Sequence, residues 1–559
     1  MKKREKTHKK AAVSECARLG YTLPPKWRRS LTKYPPFIIS SYYIPISMRP
    51  LLYDKDLSDI QQIIDSNGNI NQRKKVKLGE VFTPFRLIVE MLNTLPKSVW
   101  TNPNNKWLDP GSGIGNFSML VFYYLDQGLK KWEANNDKRR AHIMKHMIHM
   151  VEISQANINK CKEIFGPDVN VSKSDFIAEQ SKWKSEFNAS EFDLILGNPP
   201  YNVNGMKGKG RSDTGTSVLW GKFVDDSIDI LAPNGHCLFF TPNSWTELKS
   251  PLAKKILSKQ VVLLKNFDVV NAYKLFDKKA GSMPLSYYLI KNSKPTKPTL
   301  IHDAVFDKFV EFDIPKYMLI PNKNISLIKK ILSKNRGDSL DDYFKFTTPK
   351  EKKNKGLYRP TYSQEYSFPL LNYVHKRMHV SFAKHCSIVQ NKTPKLILPN
   401  YSMGYPVLDR DGIFDVGGRV SYYIEVPDNS IAKLKNIQKL FMTDLGLTII
   451  NSLKTAQKFL STRTFSVFPD VTKMTIPIDD ESLAKYYNLN QDDKKSISYQ
   501  KNQGEGNLSD AQKNFLTSFS LHDHVTKRQY GLVVQKTIKC KPQHEGRKTR
   551  KKRRTSTKT

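Results

Sequence analysis

Between residues 106 and 242 short apolar runs alternate with helix-patterned segments, and each run stops at a polar turn. The runs are "KWLD", "IHMVEI", "VNVSKSDF", "FDLILGN" and "GHCLFFTP". Between them lie "NFSMLVFYYLDQGL", "ISQANINKCKEIF" and "SVLWGKFVDDSIDIL". Buried strands separated by helices read as a doubly wound α/β sheet. Ligands of such sheets sit at the carboxyl ends of the strands, so the polar turns are where function is expected.

In the first turn, "LDPGSGIGNF", Asp109 closes a strand, and Gly111, Gly113 and Gly115 let the backbone pass close to a ligand before a helix begins. Alone, the turn is equally a plain strand-to-helix connection. The next strand end, "VEI", supplies Glu152, an acid placed to accept hydrogen bonds from two ribose hydroxyls. The third, "SDF", supplies Asp175 for an adenine amino group and Phe176 for its ring. No phosphate-binding lysine accompanies the turn, so a nucleoside suits it better than a triphosphate. S-adenosylmethionine fits: it has no phosphate, and its sulfonium and amino cations favour carboxylates such as Asp109.

The fourth end is "GNPPYN". Its two prolines lack amide hydrogens and fix their backbone angles, which leaves rigid carbonyls pointing outward. The side-chain oxygen of Asn198 and the carbonyl of Pro199 would hold both hydrogens of an exocyclic amine, turning its lone pair toward an electrophilic methyl for direct in-line displacement. Tyr201 would offer a face on which a flipped base stacks. A bare proline pair more often just ends a strand, and here the flanking Asn198 and Tyr201 argue for more.

A length of 559 residues implies two domains plus extensions. Lysine and arginine number 91 against 52 acids, a formal charge of +39, which calls for a polyanionic partner, nucleic acid first. A solvated lysine-rich surface is the plainer alternative. The five cysteines are odd in number and scattered, so neither a disulfide framework nor a zinc knuckle is expected, and a reducing compartment is. "MKKREKTHKK" lacks the apolar core of a signal peptide, and "YPPFIISSYYIPISMRPLLY" is broken by four prolines. An intracellular protein without a membrane partner is expected, with cytoplasmic, nuclear and viral settings not separable.

The chain divides into a basic arm over 1–50, a catalytic domain over 51–292, a second α+β domain over 293–495, and a linker with a basic tail over 496–559. Within the catalytic domain Thr83 and Pro84 mark a helix start, with Leu87, Ile88, Met91, Leu92 and Leu95 as its buried face. The tail "RKTRKKRR" suits a DNA arm or a nuclear-import signal. The loop "GMKGKGRSDTG" carries Lys207, Lys209 and Arg211, which read as a phosphate-gripping flap. His142, His146 and His149 have metal-like spacing but no carboxylate in register, so no metal site is expected.

"GEVFTP", "LDPGSGIGNF", "MVEI", "SDF" and "GNPPYN", in this order, resemble the amino-group DNA methyltransferases of restriction–modification systems in which the target-recognition domain follows the catalytic one. The resemblance covers residues 75 to 292, and "SLAKYYNLNQDDKKSI" looks like the close of the recognition region. It implies a Rossmann-like methyltransferase domain with a C-terminal α+β target-recognition domain, S-adenosylmethionine as donor, and methylation of adenine N6 in duplex DNA, with no obligate protein partner evident. It further implies that Thr83 and Pro84 line the methionine end of the cofactor and that Asp109, Gly111 and Gly113 form its loop. Glu152 would then hold the ribose, Asp175 and Phe176 the adenine, and Asn198, Pro199, Pro200 and Tyr201 would be the catalytic quartet. Two departures stand out: Gly111 occupies a position more often alanine, and the insertion "KKWEANNDKRRAHIMKHM" separates Glu152 from Asp109.

Cytosine N4 enzymes share the quartet, as do RNA and protein-glutamine methyltransferases, so these stay open beside adenine N6. Cytosine C5 chemistry needs a nucleophilic cysteine, commonly after proline, and the chain has no Pro-Cys pair. A noncatalytic DNA-binding descendant is disfavoured by the intact quartet and acids. No paired acids with a lysine suggest a nuclease, so cutting activity is not expected.

Overall fold

The computed structural model describes residues 50–70, 83–201 and 219–502, apart from 249, 277–282, 336–337, 347–357, 361–362, 375–377, 388, 400–405, 417–419 and 454–461. The basic arm and tail lie outside these residues, as do Lys207, Lys209 and Arg211. The described residues from Leu51 onward form one compact unit.

Its centre is a nine-stranded mixed sheet. The strands are β1 Trp107–Asp109, β2 Ile148–Glu152, β3 Val171–Lys173, β4 Phe192–Gly197, β5 Leu231–Pro242, β6 Gln260–Phe267, β7 Leu285–Lys291, β8 Thr299–Asp303 and β9 Lys308–Phe312, in the order β3-β2-β1-β4-β5-β7-β6-β8-β9. The first five pair in parallel, as the alternation of strands with helices demands, because a parallel partner requires a crossover. β7 runs antiparallel to both β5 and β6. The apolar runs are buried throughout β1 and β2, consistent with a sheet covered on both faces.

Helix Phe85–Leu92 begins after Pro84 and buries Phe85, Leu87, Ile88, Met91 and Leu92, the stripe its spacing predicts, with Leu95 buried just beyond. The insertion before β2 is built into the fold. Its Arg139 is 1% exposed and donates through Nε to Asp126 Oδ1 (2.8 Å), with further bonds to the Glu133 carbonyl (2.8 Å) and Asn136 Oδ1 (2.7 Å). Such a buried guanidinium persists only because its donors are matched. The insertion enters at the amino end of β2, so β1 and β2 remain neighbours with Asp109 opposite Met150.

The sheet and a helix run across two of the divisions read from the sequence. The boundary set at 292/293 falls inside the sheet, because β8 pairs with β6 and β9 with β8; strand pairing across that point outweighs the change of sequence rhythm. The boundary at 495/496 falls inside helix Gln491–Asn502. Cys386 is disulfide-bonded, which the cysteine spacing gave no sign of.

Beyond β9 lie β10 Phe344–Phe346, β11 Tyr358–Arg359, β12 Phe368–Val374, β13 Met378–Ala383, β14 Lys395–Pro399, β15 Val407–Asp409, β16 Asp415–Val416 and β17 Val420–Ile424. They form two four-stranded sheets, β10-β17-β14-β15 and β11-β13-β12-β16. Leu371 and Val416 of one and Ile397, Val407 and Tyr423 of the other meet in a separate small core. Helices Ile431–Met442 and Asp444–Ser452 join the main apolar core, which runs on from Leu52 to Leu489. Among the described residues no helix is long and apolar enough to cross a membrane.

Candidate functional site

In the sheet the strand order reverses between β1 and β4, and the crevice this leaves at their carboxyl ends is where open α/β sheets bind ligands. A cavity of 360 Å³ opens there. Of the residues singled out from sequence, Thr83, Asp109, Gly111, Gly113, Glu152, Asp175, Phe176, Asn198 and Pro200 line it. Pro84, Pro199 and Tyr201 are not on its wall.

The glycine turn is tied to the next strand. Ser112 N donates to the Val151 carbonyl (3.1 Å) and Gly113 N to Glu152 Oε2 (2.8 Å), while Ser154 N donates to Glu152 Oε1 (2.7 Å). Glu152 is therefore fixed beside the loop despite the insertion. Gly115 has φ +88°, and a Cβ there would meet the Phe165 ring at 2.6 Å, so only glycine fits. Gly115→Ala is expected to destabilise the fold by about 2 kcal/mol or more, measured as a lower denaturant midpoint. At Gly111 an added Cβ meets Phe223 at 3.4 Å and Pro200 at 3.6 Å, ordinary contacts that make alanine acceptable.

Asp109 is 3% exposed, and its Oδ2 has no hydrogen-bond partner. Burial pushes its carboxyl up to about 8, with the nearby Glu152 charge adding to the shift and the Gly111 amide and Ser118 hydroxyl opposing it. A buried orphan carboxylate oxygen beside a cavity is the feature a cationic ligand would satisfy. At the third strand end Asp175 Oδ1 accepts from the amides of Ile177 (2.9 Å) and Ala178 (3.0 Å), closing the turn. Phe176 stacks between Trp183 (centroids 5.3 Å) and Phe223 (5.1 Å), and Trp183 Nε1 bonds the Phe176 carbonyl.

Asn198 directly follows β4, and its Nδ2 donates to Thr83 Oγ1 at 3.1 Å. The turn before the first helix and the proline turn thus meet at the cavity. Tyr201 is 8% exposed and packed into the main core, where burial and then neighbouring Tyr288 hold its phenol above the ordinary value. Its ring is enclosed here rather than presented as an open stacking face.

Sequence reasoning missed Ile153, Phe223 and Phe117 on the cavity wall. Ile153 is 61% exposed, and its place just after Glu152 was the available signal. Phe223 comes from helix Leu219–Asp229, and no local pattern connects it to the glycine turn. Of the three histidines, His142 and His146 stand with ring centroids 5.1 Å apart, while His149 is buried with Nδ1 against the Trp107 and Met147 carbonyls, and burial lowers it to about 4. His142 contacts the Pro103 carbonyl and packs on Trp132.

Residues 85–276 match the model of the Eco57I restriction-modification methylase family. An uncharacterized adenine-specific methylase of Mycoplasma pneumoniae is 24% identical over 298 residues, covering 41% of this chain and 67% of the relative. Modification methylase CviBIII of Paramecium bursaria Chlorella virus NC1A is 26% identical over 263 residues, covering 46% of this chain and 60% of the relative. The chain thus spans about two thirds or less of the length of these relatives. Solved structures that the chain partly matches include the DNA-bound ATP-dependent Type ISP restriction-modification enzyme LlaBIII, with TM-score 0.41 and 11% identity over 76% of this chain and 42% of that one. Another is a modification subunit of a type I restriction enzyme from Vibrio vulnificus YJ016, with TM-score 0.32 and 14% identity over 44% of this chain and 50% of that one. The family match, the adenine-specific methylase and the modification methylase support a methyltransferase of the restriction–modification type.

Proposed function

We propose that the chain transfers a methyl group from S-adenosylmethionine to the N6 amino group of adenine in duplex DNA. The observation that carries this reading is that one cavity joins the orphan Asp109 oxygen, the pinned Glu152, Asp175 and Asn198. The cofactor supplies the electrophilic methyl. Thr83 would border its methionine end, with Pro84 behind it off the cavity wall, Asp109 its cations, the Gly111–Gly113 turn its body, Glu152 its ribose, and Asp175 with Phe176 its adenine.

The target base has to leave the duplex to reach such a pocket. Asn198 and the Pro199 carbonyl would then accept both amine hydrogens and direct the nitrogen lone pair at the methyl; as the N–C bond forms, the sulfonium S–C bond would break to leave a neutral thioether, and the extra amine proton would pass to solvent. Pro200 shapes the wall between amine and cofactor. Tyr201, enclosed in this state, would have to turn out to stack on the base. The second part of the chain would read the groove, and Lys207, Lys209 and Arg211 would hold phosphates beside it. A charge of +39 supports a nucleic-acid substrate over a peptide.

The test is to incubate the protein with labelled S-adenosylmethionine and duplex DNA, transfer RNA or a glutamine-bearing peptide, then digest and identify the modified group. N6-methyladenine in DNA is the expected product. Label confined to RNA or peptide would overturn the reading, and N4-methylcytosine would keep the chemistry but change the base.

A further inference from the structure

We propose that Thr83 is a positioning residue for Asn198, holding its side-chain amide with the oxygen turned toward the target amine. The inference rests on the reading of the chain as an amino-group methyltransferase. It assigns Thr83 a task beyond bordering the cofactor.

Thr83 Oγ1 lies 3.1 Å from Asn198 Nδ2, although the two residues are 115 positions apart. Thr83 is 4% exposed, and both side chains lie on the wall of the same cavity. The hydroxyl does not hang on a free loop. It immediately precedes Pro84 and helix Phe85–Leu92, which is anchored by five buried side chains and by Glu90, whose carboxylate accepts from Tyr287 Oη (2.8 Å) and Lys265 Nζ (2.5 Å) of the sheet. Asn198 is fixed from the other side by the end of β4.

An asparagine amide has two ends of nearly equal size and opposite hydrogen-bonding character. With the oxygen outward it accepts from an amine; flipped, it would face that amine with donors and repel it. A threonine hydroxyl carries one hydrogen and two lone pairs. When that hydrogen goes to an anionic group in the cavity, such as the carboxylate of an amino-acid ligand, the hydroxyl oxygen can only accept. Asn198 must then turn its NH₂ to Thr83 and its oxygen to the substrate. Cofactor occupancy and the grip on the amine become coupled through one hydroxyl.

Thr83→Val keeps the shape and removes the hydroxyl, whereas Thr83→Ser keeps the hydroxyl. Three quantities separate positioning from simple lining, all in the full chain: single-turnover methyl transfer at saturating cofactor and DNA, cofactor affinity by equilibrium dialysis, and exchange of the Asn198 side-chain amide protons in ¹⁵N-asparagine-labelled protein. Thr83→Val is expected to weaken cofactor affinity a few-fold through the lost donor, to slow transfer at saturating cofactor by a further factor of about 10 to 100, and to speed amide exchange, with Thr83→Ser restoring all three. An unchanged rate in Thr83→Val, or a loss confined to cofactor affinity, would overturn the proposal. If the parent protein methylates neither DNA, RNA nor peptide, the functional reading itself fails; amide exchange unaltered by Thr83→Val would then separately show that the hydroxyl does not hold Asn198.

Discussion

The Asn198→Ala variant is expected to bind S-adenosylmethionine as the parent does and to transfer methyl groups at least about 10²- to 10³-fold more slowly. The side chain is half-buried at the cavity edge, bonded to Thr83 through Nδ2 and set beside the Tyr201 phenol, so truncation removes little packing. Its amide oxygen, by contrast, is one of only two acceptors proposed to hold the amine, and a preorganised partner of this kind acts mainly in the transition state. Transfer is measured with labelled cofactor on duplex DNA, binding by equilibrium dialysis, and folding by the thermal midpoint. Full residual activity in a folded, cofactor-binding variant would remove Asn198 from the mechanism. A parallel loss of binding would instead place it in the cofactor site.

Cofactor affinity is expected to climb about tenfold per pH unit between pH 6 and 8 and then level off. Without ligand, Asp109 keeps its proton up to about pH 8 because burial outweighs the stabilising Gly111 amide and Ser118 hydroxyl, with Glu152 adding its charge. A cationic ligand favours the ionised form, so binding below pH 8 expels one proton. The same shift sets a stability trend in the empty protein. An unfolded aspartate ionises near 3.8 and the folded one near 8, so the stability this group contributes is complete below the lower value and is lost as pH rises toward the upper, by about 1.4 kcal/mol per unit. Asp109→Asn should flatten both trends and leave a weaker, pH-independent affinity. Calorimetry at pH 6, 7 and 8 in buffers of different ionisation enthalpy decides it; zero proton release would sink the assignment.

The strand ends were legible because a parallel sheet writes its function at one edge. Asp109, Glu152, Asp175 and Asn198 each follow an apolar run, and topology alone then brings them to one crevice. Partners on other elements were not legible. Nothing in "GEVFTP" announces that Thr83 bonds Asn198, and nothing in a run of charges shows that Arg139 is buried on Asp126. Both depend on where chain segments cross rather than on local pattern. The continuation of the sheet through β8 and β9 was hidden for a related reason: these strands are five residues each, and their placement is set by the free edge of β6.

That edge has a history within each folding event. β5 and β6 are consecutive strands, yet β7 lies between them and pairs with both. As the chain leaves the ribosome, β1 to β5 can assemble once residue 242 has emerged, and the crevice at their carboxyl ends with them. β6 then waits as an unpaired apolar edge until residues 285–291 arrive to close the gap. The parallel half of the sheet can therefore be complete while the rest is still unfinished, and the interval before β7 docks is the one in which the newborn chain most needs protection from aggregation.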